Sequence, residues 1–116
     1  MPEQRHQKRR HLIYYLEVFD RETKQQVGHL ADLTLEGLLL LTQKKLDPGD
    51  KLDLDIRLPQ VPGLETDTLV VKATVRWSGL DKNPALCCVG CEFEPLDAKD
   101  EAVIDLLFRL VGFEDV

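Results

Sequence analysis

Hydrophobic and polar residues alternate in two segments near the middle of the chain. In the first, apolar residues occupy every second position from 52 to 58, with polar residues between them. The second has the same period, with one apolar face made of Leu69, Val71, Ala73, Val75 and Trp77. Successive side chains of a β-strand point to opposite sides, so this period predicts two strands with one buried face each. The alternation therefore predicts that Trp77 faces the core.

Four other segments are rich in branched and aromatic residues and end at turn-forming residues, which predicts four further strands. Pro48-Gly49-Asp50 predicts a turn, because proline presets φ and glycine accepts a positive φ. Six strands without an intervening helix indicate a mainly β fold, a six-stranded antiparallel barrel that buries its own edges. The four additional strands are Leu12–Phe19, Gln26–Leu33, Gly37–Thr42 and Leu86–Phe93.

The hydrophobic period changes near the C-terminus. Asp97 is a suitable N-cap and Gly112 is well placed to end a helix. Between them apolar residues recur at the spacing of an amphipathic helix, and we predict a C-terminal α-helix over 97–111. The apolar stripe consists of Val103, Leu106, Leu107, Leu110 and Val111.

The charge of the chain is distributed unevenly. Residues 1–11 contain four basic side chains and one acid, whereas the 116 residues together have a net charge of −6, so the remainder carries −9. We predict a single domain over 1–116, with a flexible basic N-terminal arm at 1–11, the barrel at 12–95 and the helix closing one side or the mouth of it. An acidic body repels DNA and RNA, whereas a short basic arm suits a compact anion or is simply a solvated tail.

The composition, with 43% hydrophobic and 31% charged residues, is typical of a globular domain. No apolar run approaches the roughly 20 residues that a membrane helix requires. The first ten residues lack the apolar stretch of a secretory signal. We therefore expect a cytoplasmic location without membrane insertion.

Three clustered cysteines, Cys87, Cys88 and Cys91, raise the question of a metal site. Structural zinc normally takes four Cys or His ligands, and the three histidines lie far away in sequence. On a strand, Cys87 and Cys91 share one face with Val89, whereas Cys88 points to the other. We interpret the cysteines as reduced core residues and predict no metal site.

The sequence contains no motif that indicates catalysis. Ser78 is the only serine and lies outside a Gly-x-Ser-x-Gly context. His29 falls inside a predicted strand, the carboxylates are scattered, and there is no glycine-rich phosphate loop. We therefore expect a binding module with no catalytic residue and no cofactor, rather than an enzyme.

Two short motifs remain, with 22 residues between Arg9 and Asp32. The first is an Arg-x-x-x-Arg spacing at Arg5 and Arg9, followed at once by Arg10. The second is Asp32-Leu33-Thr34-Leu35-Glu36-Gly37. With the predicted barrel they resemble the PilZ family, whose signature is Arg-x-x-x-Arg followed by Asp or Asn-x-Ser-x-x-Gly. The resemblance extends over nearly the whole chain, with threonine where the family usually has serine.

The resemblance implies cyclic di-GMP as the ligand. A guanidinium binds a phosphate or the O6/N7 edge of guanine, and either Arg9 or Arg10 is the second ligand arginine. Asp32 orients an arginine or accepts a guanine N–H, Thr34 supplies a hydroxyl, and Gly37 allows close approach. Taken alone, the second motif also fits an ordinary β-turn held by local side-chain bonds. The implied ligand-binding residues are Arg5, Arg9, Arg10, Asp32, Thr34 and Gly37.

The implied function is that of a bacterial cyclic di-GMP receptor or adaptor, monomeric or homodimeric. Its arm becomes ordered over the barrel on binding, and the domain signals to a separate effector protein. One alternative is a PilZ-like adaptor that binds protein and no nucleotide. A barrel that binds single-stranded nucleic acid needs exposed aromatics beside a basic groove, and the acidic body argues against it.

Overall fold

Six antiparallel strands close into a barrel. The computed structural model describes residues 10–11, 16–110 and 114–115. Around the barrel the order is β2-β3-β4-β7-β6-β5, and β5 pairs with β2 to close it. The predicted six-stranded antiparallel barrel with a C-terminal helix is confirmed. The strands are β2 (Leu16–Asp20), β3 (Gln26–Leu33), β4 (Gly37–Thr42), β5 (Lys51–Arg57), β6 (Thr68–Leu80) and β7 (Cys87–Phe93).

The alternating segments bury their apolar side chains in the barrel as predicted. Leu54 and Ile56 of β5 are fully buried, and they lie opposite Val71 and Leu69 of β6, which are nearly so. The intervening side chains point outward, which is the expected consequence of a two-residue period. Of the predicted first strand, residues 12–15 lie outside the described residues.

The alternation of β6 fails at one position. The prediction that Trp77 faces the core is wrong, since 51% of its surface is exposed. Val75 lies opposite Cys91 and Trp77 lies opposite Gly90, so Arg76 is an extra residue in β6. Such a β-bulge changes the side of the sheet on which the following residues lie, and it turns Trp77 outward. β6 then continues as a strand to Leu80.

The C-terminal helix α1 (Ala98–Leu110) packs against the barrel and contacts β6. The Asp97 carboxylate accepts a hydrogen bond from the Asp100 N–H at 2.8 Å, which confirms the predicted N-cap. Ile104 and Leu107 are fully buried in the core. The predicted stripe omitted Ile104, because residues 102–104 are all apolar and the helix period alone does not choose among them.

A short strand pair lies outside the barrel. β1 (Arg10–His11) runs antiparallel to β8 (Glu114–Asp115), which follows the helix. The backbone of β1 also approaches β3. The last two residues of the predicted arm therefore adopt a paired strand, and residues 1–9 lie outside the described residues.

The cysteines lie on β7 as the strand period predicts. Cys91 and Val89 are buried, Cys87 packs against the core, and burial raises the pKa of the Cys91 thiol to about 11. Cys88 lies on the other face, where its thiol donates to an Asp81 carboxylate oxygen at 3.4 Å. Within the described part of the chain, no three His, Cys, Asp or Glu side chains are arranged to hold a metal ion. The described residues also include no helix with the length and apolar character needed to cross a membrane.

Candidate functional site

A cleft of about 790 Å³ opens on the outer surface of the barrel. It lies where the β3–β4 turn, residues 32–37, meets the outer faces of β6 and β7 and the first turn of α1. Its volume falls within the range of about 300–1,000 Å³ that is usual for small-molecule sites. Its polar, charged and aromatic lining consists of Asp32, Thr34, Glu36, Arg76, Trp77, Glu92, Phe93, Glu94 and Glu101.

The β3–β4 turn is held by its own polar side chains. The Thr34 hydroxyl accepts hydrogen bonds from the N–H groups of Glu36 and Gly37, both at 3.1 Å, and donates to the Gly37 carbonyl at 3.3 Å. The Asp32 carboxylate accepts the Leu33 N–H at 2.8 Å through Oδ1. Thr34 therefore stabilises the turn, because its hydroxyl replaces backbone hydrogen-bond partners that a tight turn cannot supply.

Gly37 is required by strand pairing. It is buried at the start of β4, opposite Glu92 of β7. A Cβ at this position would collide with the backbone carbonyl of Cys91. Its missing side chain thus allows β4 and β7 to approach, which places the turn directly beside the outer face of β7.

Trp77 provides an aromatic surface in the cleft. Its indole lies against Gly90 of the neighbouring strand, where a Cβ would collide with the ring nitrogen. Glycine at position 90 therefore leaves room for the indole against the backbone of β7. Because half of the surface of Trp77 remains exposed, the indole can stack against a planar ligand.

Arg76 lies next to Trp77 on the same outer surface. Its Nε donates to the Glu92 carboxylate at 2.7 Å, a short charge-assisted bond that fixes the side chain across β6 and β7. Both side chains are more than half exposed, so the pair adds little to fold stability. Its consequence is the fixed orientation of one guanidinium at the edge of the cleft.

The cleft is strongly acidic. Arg76 is the one cationic side chain in the described lining, which also contains five carboxylates. An anionic ligand therefore needs positive charge from outside this lining. The carboxylates are Asp32, Glu36, Glu92, Glu94 and Glu101.

The structure brings part of the predicted site together. Asp32, Thr34 and Gly37 all line the cleft. Arg5 and Arg9 lie outside the described residues, and Arg10 is described by its backbone in β1. The approach of β1 to β3 indicates that the chain enters the barrel close to the strand that carries Asp32.

Sequence reasoning missed the outer surface of β6 and β7. Arg76, Trp77 and Glu92 were not predicted as site residues, because strict alternation assigns Trp77 to the core. The signal that marks them is weak: two large residues in succession, Arg76 and Trp77, followed by the small Ser78 and Gly79. Pairing with Gly90 supplies the rest of the explanation, and that pairing exists only in the folded sheet.

The sequence and the fold were compared with those of known proteins. A sequence comparison with curated proteins found no match. Among solved structures, the chain is similar to the Bacillus subtilis inhibitor of motility MotI/DgrA, with a TM-score of 0.66 and 23% identity. This similarity covers 94% of the chain and 55% of that protein, so the chain spans about half the length of its neighbour. The sequence model of the PilZ domain matches residues 3–110, and the chain therefore belongs to the PilZ domain family, a family of cyclic di-GMP receptor and adaptor domains.

Proposed function

We propose that this domain binds cyclic di-GMP in the cleft and transmits binding to a partner protein. The observation that carries the proposal is the exposed indole of Trp77, which lies in the same cleft as the turn of the PilZ signature. An aromatic side chain that packs against a sheet and is half exposed to solvent is suited to stacking on a nucleobase, a contact worth about 1–3 kcal/mol.

The turn supplies hydrogen-bonding groups beside that ring. Asp32 Oδ2 has no hydrogen bond within the described part of the chain, so it remains available to accept a guanine N–H or to orient an arginine. Thr34 acts through the turn, because its hydroxyl is already engaged with Glu36 and Gly37. The cleft is thus suited to bind the bases of the ligand.

The two phosphates need a different source of charge. Five carboxylates in the lining oppose an anion, and the arm has four basic side chains within its 11 residues. Arg5, Arg9 and Arg10 therefore bind the phosphates or a guanine edge as the arm closes over the cleft. Ordering of the arm is the proposed switch, and it takes place in the bacterial cytoplasm.

Calorimetric titration with cyclic di-GMP tests the proposal, with GTP and cyclic GMP as controls. We expect Arg9→Ala to weaken binding by about 10- to 150-fold, the loss of one charge-assisted contact. Arg21→Ala removes the same charge from an exposed side chain outside the cleft, and should leave the affinity unchanged. Affinities within twofold of the unaltered protein for Arg5→Ala, Arg9→Ala and Arg10→Ala would contradict the proposed role of the arm.

The acidic lining also favours a second candidate, an adaptor that binds protein and no nucleotide. A cleft that contains five carboxylates and an exposed indole suits a basic, apolar segment of a partner. Absence of cyclic di-GMP binding by the folded protein would select this alternative. Because the structural neighbour is named an inhibitor of motility, components of the motility apparatus are the first class of effector to test.

A further inference from the structure

We propose that Arg76, positioned by Glu92, reads the O6/N7 edge of the guanine that stacks on Trp77, and so selects guanine over adenine. The inference rests on the proposed function and names a specificity residue on the barrel itself, separate from the arm. Its starting point is the β-bulge at 75–77. The extra residue places Arg76 and Trp77 in succession on the outer surface, whereas a regular strand would point them to opposite sides.

The orientation of the guanidinium supports this role. Arg76 uses Nε for the bond to Glu92, and within the described residues its two Nη groups have no hydrogen bond. Two parallel N–H donors remain at the end of the side chain. That fork matches the pair of acceptors, O6 and N7, on one edge of guanine.

The electrostatics of the cleft favour a base over a phosphate at this position. Glu92 already balances the charge of Arg76 at 2.7 Å, and Glu36, Glu94 and Glu101 also line the cleft. A phosphate placed there would meet net negative charge. The edge of guanine is uncharged and offers only acceptors, so a guanidinium that is already paired with a carboxylate can still donate to it.

Selectivity follows from the base itself. Adenine presents N7 as an acceptor but an N6 amino group, a donor, where guanine presents O6. The fork of Arg76 meets two acceptors in guanine and a donor beside one acceptor in adenine. Correct bidentate pairs of this kind discriminate by about 5- to 150-fold.

Parallel titrations with cyclic di-GMP and cyclic di-AMP test the inference. The readout is the ratio of the two dissociation constants, because both ligands contain the same phosphates. We expect Arg76→Ala to reduce the preference for cyclic di-GMP by at least fivefold, and Arg76→Lys to do the same although it keeps the charge. Arg109→Ala is the matched control, since Arg109 is an exposed, carboxylate-paired arginine on α1 outside the cleft lining.

Glu92 is tested as the positioning residue. Glu92→Ala removes the acceptor of Arg76 Nε and should lower the preference, whereas Glu92→Gln keeps an acceptor oxygen and should retain most of it. A purely repulsive role for Glu92 predicts instead that both variants bind both ligands more tightly at an unchanged ratio, which would overturn the positioning role.

The results separate the inference from the proposed function. If the unaltered protein binds cyclic di-GMP and Arg76→Ala keeps the same ratio within twofold, the inference is wrong and the function stands. Equal affinity of the unaltered protein for cyclic di-GMP and cyclic di-AMP would likewise contradict the inference and leave the proposed function standing. Failure of the unaltered protein to bind cyclic di-GMP would contradict both the proposed function and the inference about Arg76. Circular dichroism of each variant confirms that the barrel is retained.

Discussion

The two sides of the cleft differ in how their polar groups are used. On the β3–β4 turn, the Thr34 hydroxyl is hydrogen-bonded to the backbone of the turn, and Gly37 packs against the carbonyl of Cys91. On the outer surface of β6 and β7, Trp77 is half exposed and the Nη groups of Arg76 have no partner within the described residues. The signature residues therefore shape one side of the site, while the other side presents the groups that can contact a ligand.

A family signature and the surface left free to contact a ligand need not coincide. A turn whose hydrogen bonds are satisfied internally holds its geometry whether or not a ligand is present. Side chains that are exposed and oriented, by contrast, gain new partners only on binding. Substitutions on the turn should accordingly lower the stability of the fold more than the affinity for cyclic di-GMP. Substitutions on the opposite side should lower the affinity more than the stability.

The largest effect is expected at Gly37. Gly37→Ala places a methyl group against the Cys91 carbonyl, so β4 and β7 must separate, and the free energy of unfolding should fall by about 3 kcal/mol. Gly79→Ala is the matched control, because nothing lies within 4 Å of the added Cβ. Urea denaturation measures the free energy of unfolding of both variants. A Gly37→Ala protein as stable as the Gly79→Ala protein would show that the approach of the two strands is not a constraint.

The second effect is on affinity and concerns Trp77. Trp77→Ala should weaken cyclic di-GMP binding by about 1–3 kcal/mol, the usual contribution of a base stacked on an aromatic ring. Stability should change little, because half of the side chain is exposed. Leu80→Ala, on the same strand and 79% exposed, serves as the control for loss of an exposed apolar group. Unchanged affinity for Trp77→Ala would place the base elsewhere.

A smaller loss is expected for the hydroxyl of the turn. Thr34→Val keeps the shape of the side chain but removes the bonds to residues 36 and 37, and should lower the free energy of unfolding by about 1 kcal/mol. Thr34→Ser retains the hydroxyl and should behave like the unaltered protein. A strong loss of cyclic di-GMP affinity in Thr34→Val without loss of stability would show that the turn, like the opposite side of the cleft, contacts the ligand directly.

The smallest effect concerns the carboxylates. Glu94→Gln removes one negative charge from the cleft lining and should strengthen cyclic di-GMP binding about twofold, as expected for an exposed charge. The gain should shrink at high salt, because screening weakens the repulsion. Glu17→Gln, on the exposed face of β2 away from the cleft, is the control. Weaker binding by Glu94→Gln would mean that this carboxylate contacts the ligand.

Much of this architecture follows from local pattern. Alternation at 52–58 and 69–75 predicts the buried faces of β5 and β6, because a pleated strand separates its side chains with a period of two. The N-cap at Asp97 and the core position of Cys91 follow equally from residue type and spacing. Asp32, Thr34 and Gly37 were found through their resemblance to a signature, and the structure shows that they line one cleft.

The folded sheet is what places Arg76 and Trp77 on the outer surface beside the cleft. The outward position of Trp77 depends on one extra residue in β6, on pairing with Gly90 and on the bond from Arg76 to Glu92 across two strands. A single sequence does not specify register between strands that are distant in the chain, because a shift of one residue reverses every side chain. Local sequence pattern was sufficient for the barrel, the turn and the basic character of residues 1–11, whereas the pairing of β6 with β7 was needed to place Arg76 and Trp77 on the opposite side of the cleft.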